Sequence, residues 1–167
     1  MLDIKITNAK TRKTGKELVE IGIENGKITA IAPSVEGEAK QVIDAKGKLV
    51  TESFVNGHLH LCKVYTLEMA GQDALKEYND NNMGGAMTSI ERAADFKACY
   101  DEKWIIENVR KACDLAVKYG NTHIRAFADV DSKARLEGVK AVIRGREEYK
   151  DRLDIQVVGI SHRIGVG

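Results

Sequence analysis

The chain has 167 residues, 43% hydrophobic and 31% charged, which is long enough for a domain with a real core and excludes compositional disorder. Its 26 basic and 25 acidic residues leave a net charge of +1, so neither nucleic acid nor a membrane surface is an expected partner. The cysteines Cys62, Cys99 and Cys113 include no CxxC pair, and no secretory leader or long apolar run occurs, so a reducing, cytoplasmic setting is expected.

Residues 1 to about 50 read as short strands joined by tight turns. Leu2-Asp3-Ile4-Lys5-Ile6 alternates, and Leu18-Val19-Glu20-Ile21-Gly22-Ile23 mostly does. Asn25-Gly26 then gives the hairpin signal ahead of Ile28-Thr29-Ala30-Ile31. An antiparallel surface hairpin is predicted.

From residue 54 strand and helix alternate. The apolar run Phe54-Val55-Asn56-Gly57 closes on His58-Leu59-His60. Tyr65 to Met87 is longer than the usual βα connection of about 2 to 6 residues and is expected over the C-terminal strand ends. Within it, Met83-Gly84-Gly85-Ala86-Met87 lacks the Lys-Ser/Thr of a phosphate loop and reads as a plain loop. Thr88-Ser89-Ile90-Glu91 has capping-box spacing and predicts a helix to about Cys99. Asp101 is placed to cap a second helix, with Ile105, Val109, Ala112, Ala116 and Tyr119 on one stripe and Gly120 as its stop. A strand at 123–128, a helix from about Ser132 to Tyr149 and a strand at 153–158 follow. Strands separated by helices predict parallel βαβ units.

Residues i and i+2 of a strand project to the same face, so His58 and His60 can reach one divalent cation. Alone, His-x-His is a common pattern. Here it ends a buried strand ahead of α/β alternation, the placement of a barrel's C-terminal face. Three stretches together, 54–61, 123–131 and 153–158, resemble the amidohydrolase superfamily of metal-dependent hydrolases, in the branch containing cytosine deaminase. The resemblance covers nearly all of residues 1 to 158. It implies an α/β fold in which residues 1–53 are the N-terminal part of a β-sandwich and residues 54–167 are the first three β/α units of an incomplete TIM-like (β/α)8 barrel.

It also implies zinc or iron held by His58 and His60, and hydrolysis of a non-peptide C–N bond in a small nitrogen heterocycle. Such a metal lowers the pKa of its bound water from about 15.7 to about 7. The family's acid/base groups come from later strands, so no catalytic acid or base is assigned in this chain. Asp129 and Asp131 share parity at a strand's C-terminal end and are expected to reach substrate, although Asp131 also suits the cap of the next helix. Arg125 lies on the same strand. His123 begins that strand and reads as structural, Trp104 as core, and Cys62 as a buried thiol.

Glu52-Ser53 stands where the family often has Pro-Gly, and Cys62 where many branch members have aspartate, with Lys63 matching a family lysine. Gly159 to Gly167 replaces the family's Ala-Phe-Pro-Gln continuation, and the expectation is a frameshift near Val158 that makes His162 accidental. A barrel of ~200–250 residues is not filled, so exposed edges are expected to drive homo-oligomerisation and the chain alone is expected to be inactive. The competing reading is a non-enzymatic, self-associating α/β module with a vestigial metal site.

Overall fold

The computed structural model describes residues 1–66 and 96–161. The Met83–Met87 loop, the capping box at Thr88 and His162 lie outside the described residues. The chain divides into two compact units, Met1–Glu52 and Ser53–Gly167. No helix of the described residues is long and apolar enough to cross a membrane.

In the first unit β1 (Leu2–Ala9), β2 (Val19–Glu24), β3 (Lys27–Ala32) and β4 (Ala39–Asp44) form one sheet in the order β3-β2-β1-β4. The β1/β2 and β2/β3 pairs are antiparallel, and β4 joins β1 in parallel. The predicted hairpin closes through Asn25 and Gly26 at φ 52° and 71°, both in the left-handed region that a tight hairpin turn requires. Ala9, Val19 and Ile21 make the small core of this unit. β4 is absent from the sequence-based reading. From Lys40 to Asp44 every residue is exposed, so no buried face imposes the alternation that reveals a strand.

In the second unit β5 (Phe54–Leu59), β6 (Asn121–Val130) and β7 (Asp154–Ser161) form a parallel sheet in that order. Between β5 and β6 comes α1 (Glu102–Lys118), and between β6 and β7 comes α2 (Glu137–Tyr149). Ile124, Ala126 and Ala128 of β6 are buried in one core with Ile105 and Val109 of α1 and Val142 of α2. The intervening Arg125 is exposed and Phe127 half-buried on the opposite face.

Asp101 caps α1 as predicted, accepting the N–H of Lys103 at 2.8 Å. The buried stripe runs through Ile105, Ile106, Val109 and Cys113, while Tyr119 is exposed rather than part of it. Trp104 packs partly buried on the core and donates its indole N–H to the Cys99 carbonyl at 3.0 Å. Phe96–Cys99, the end of the first predicted helix, forms a 3-10 turn. α2 starts at Glu137 instead of about Ser132. Asp131 Oδ1 accepts the N–H groups of Lys133 and Ala134 at 2.9 and 2.8 Å, and Arg135 takes φ 53°, which a right-handed helix cannot contain.

The two helices meet closely because Gly145 of α2 lacks a Cβ that would collide with Val109 Cγ1. Alongside, Arg110 grips Glu148 with two hydrogen bonds of 2.7 Å each. A Gly145→Ala substitution gains about 1 kcal/mol of helix propensity but forces overpacking that costs about 1–3 kcal/mol. Since the obstructing Val109 is fully buried, the variant is expected to have a lower urea midpoint; an unchanged or higher midpoint contradicts this helix packing.

The thiols give a second check. Cys62 and Cys113 are buried, and burial raises the first and pushes the second up to about 12, while Cys99 is exposed. A thiol reagent applied to native protein should therefore label Cys99 alone, and the other two only after denaturation. Rapid labelling of Cys62 in the folded state contradicts the packing.

Candidate metal centre

β5 ends at Leu59, which packs on the core, and the next turn, Leu61–Lys63, buries Leu61 and Cys62. With these apolar residues directed inward, the histidines on either side of Leu59 share the other face. The His58 and His60 rings lie 5.2 Å apart between centroids, and both flank Phe127 of β6, at 4.4 and 5.7 Å. His58 is exposed, and the His60 side chain retains 27% exposure.

Behind His60 lies Asp129, at the C-terminal end of β6 and 0% exposed. Its Oδ1 is 3.7 Å from His60 Nδ1, and its Oδ2 is 3.3 Å from Lys63 Nζ and 3.2 Å from Lys97 Nζ. Lys97 Nζ also reaches Asp131 Oδ2 at 2.9 Å. Burial works to raise the Asp129 pKa, but the two ammonium groups outweigh it and hold the carboxyl below the ordinary carboxylate range. Burial likewise works against the charged form of Lys97, and its two aspartate partners prevail, raising its pKa. The Asp129 backbone N–H donates to Cys62 Sγ at 3.4 Å. Burial drives the neighbouring Tyr100 phenol well above its usual value, so it stays neutral.

The structure thus brings together His58, His60, Asp129 and Asp131, and adds Lys63 and Lys97. Sequence reasoning noticed Lys63 only as a family match and missed Lys97, whose partners are more than thirty residues away and leave no local pattern. Asp131 is occupied by Lys97 and by the turn that it closes with Lys133 and Ala134. His123, at the start of β6, is exposed, with Asp154 at 3.9 Å. A cleft of about 680 Å³ runs over Val55, His123, Arg125 and Gln156, and His58, His60 and Asp129 do not line it.

As a donor set for zinc or iron, two adjacent imidazoles fit two coordination positions. Among the described residues no group of three or more His, Cys, Asp or Glu is arranged to hold a metal ion. Asp129 is engaged by its lysines, and Cys62 is packed in the core. The pair therefore fits part of a centre and requires further donors to complete one.

Comparison with known proteins gives a consistent picture. The N-isopropylammelide isopropyl amidohydrolase of Pseudomonas sp. strain ADP is 33% identical over 159 residues, covering 95% of this chain and 38% of its own length. The 5-methylcytosine deaminase of Klebsiella pneumoniae, solved with 5-fluorocytosine, superposes with a TM-score of 0.71 at 23% identity, over 93% of this chain and 36% of that one. Atrazine chlorohydrolase from Arthrobacter aurescens TC1, solved with zinc, gives 0.58 at 19% identity, over 97% and 36%. The chain thus spans less than two fifths of the length of these proteins, and the two structural likenesses show a shared mixed α/β fold. The amidohydrolase family model matches residues 41–162, a span that includes the histidine pair and both β/α units after it, and the chain belongs to that family.

Proposed function

We propose that this chain carries the first part of a cytoplasmic, metal-dependent hydrolase that cleaves a non-peptide C–N bond in a small nitrogen heterocycle, in the manner of cytosine deaminase. In this reading residues 1–53 contribute to a β-sandwich, and β5, β6 and β7 open a (β/α)8 barrel whose active face is at their C-terminal ends. His58 and His60 hold zinc or iron there. The observation that carries the proposal is the placement of two imidazoles side by side at the end of a parallel strand, in a chain of the amidohydrolase family. The names of the relatives, an N-isopropylammelide amidohydrolase and a 5-methylcytosine deaminase, support the substrate class.

When bound, the metal supplies hydroxide at neutral pH. The chain's own residues orient and exclude. Phe127 packs against both rings and limits their rotation, and Asp129 and Asp131 set the charge facing substrate through Lys63 and Lys97. The chain alone is proposed to lack turnover. Zinc titrated into the chain should show one site, with His58→Ala and His60→Ala each weakening it at least about tenfold. Equal affinity in wild type and both variants would sink the assignment.

A second reading is a self-associating module, and one observation is consistent with it. β5 and β7 have no outer neighbour among the described residues, and Val55 on β5 is 67% exposed beside the exposed Phe54. A homo-oligomer formed through these edges is compatible with either reading. Light scattering should show concentration-dependent association that Val55→Lys reduces; a monomer at every concentration contradicts it. A metal-free oligomer gives the module reading precedence.

A further inference from the structure

We propose that Lys97 is a positioning residue that holds the Asp129 carboxylate against His60, so that the ring carries its proton on Nδ1 and keeps the Nε2 lone pair for a metal. The inference rests on the reading of His60 as a ligand and adds the device that prepares it.

A neutral imidazole has one N–H and one lone pair, and which nitrogen bears the proton follows from what faces it. Here Asp129 Oδ1 lies 3.7 Å from Nδ1, and both atoms are shielded from solvent. A carboxylate anion attracts an N–H and repels a lone pair at that position, so the Nδ1–H form is favoured. Histidines that bind metal are commonly oriented in this way by a carboxylate on the nitrogen that does not ligate.

The carboxylate must itself be held. Lys63 is one-third exposed and comes from the turn that follows the histidines, so solvent reaches its side chain. Lys97 is the fixed partner. Its side chain is 11% exposed and bridges Asp129 at 3.2 Å and Asp131 at 2.9 Å. Asp131 is anchored in turn by the N–H groups of Lys133 and Ala134. A continuous set of contacts therefore runs from the turn before α2, through Asp131 and Lys97, to Asp129 and the His60 ring.

The test reads the ring directly and needs no metal. Nitrogen-15 NMR of the imidazoles at pH ~8, above the ordinary histidine pKa of about 6.5, reports the tautomer of each of the four histidines. His60 is expected to be protonated on Nδ1 in wild type and in Lys97→Arg, and to shift towards the Nε2–H form in Lys97→Met while His123 is unchanged. Asp131→Asn, which loosens Lys97 without removing it, should give a smaller shift in the same direction and covers the case in which Lys97→Met does not fold. An Nε2–H form in wild type, or one tautomer throughout the series, overturns the proposal. Zinc added to wild type separates the two levels: if the tautomer pattern holds but zinc moves neither His58 nor His60, the positioning stands and the metal assignment falls.

Discussion

A carboxylate with no exposed surface is the constraint on which the rest of the second unit's C-terminal end depends. An unpaired buried ion costs several kcal/mol, so Asp129 is tolerated only where cations reach it. Its Oδ2 is met by Lys63, from the turn after β5, and by Lys97, from the segment before α1. Those contacts bind two separate stretches of chain to the end of β6. Removing one partner of such a pair typically costs about 3–5 kcal/mol, more than any single exposed ion pair contributes. The same group faces His60, so electrostatics of folding and the chemistry proposed for the histidines meet at one residue.

The apolar packing sets the direction of everything above it. Leu59, Leu61 and Cys62 are drawn into the core beneath the sheet, which leaves His58 and His60 on the face shared with Phe127. The parallel arrangement of β5, β6 and β7 places Asp129 and Asp131 at the same end of the sheet as the histidine pair. A strand run in the opposite direction would carry its carboxylates away from them. The family match fits this layout, since it spans the strands and helices that impose it.

Some of this was legible in the residues. Asn25-Gly26 specifies its turn locally, and His-x-His specifies a shared face through the two-residue period of a strand, so neither needed tertiary information. The Asp101 cap was visible for the same reason. β4 was hidden because its residues have no buried face, and the late start of α2 because a left-handed Arg135 leaves no trace in hydrophobic periodicity. Lys97 was the costliest omission. Its role arises from contacts across the fold with Asp129 and Asp131, and a lone lysine between Phe96 and Ala98 looks like any solvated charge until its spatial neighbours are placed.

Anomalous diffraction at the zinc edge, from crystals of the wild-type chain grown with zinc, tests most directly whether His58 and His60 form the metal-holding pair. The expected result is a zinc peak coordinated by both imidazoles on the Phe127 face, with any remaining positions filled by water or by further donors. Zinc bound instead at His123 and Asp154, or at the exposed Cys99, with the His58 and His60 rings bare, would contradict it.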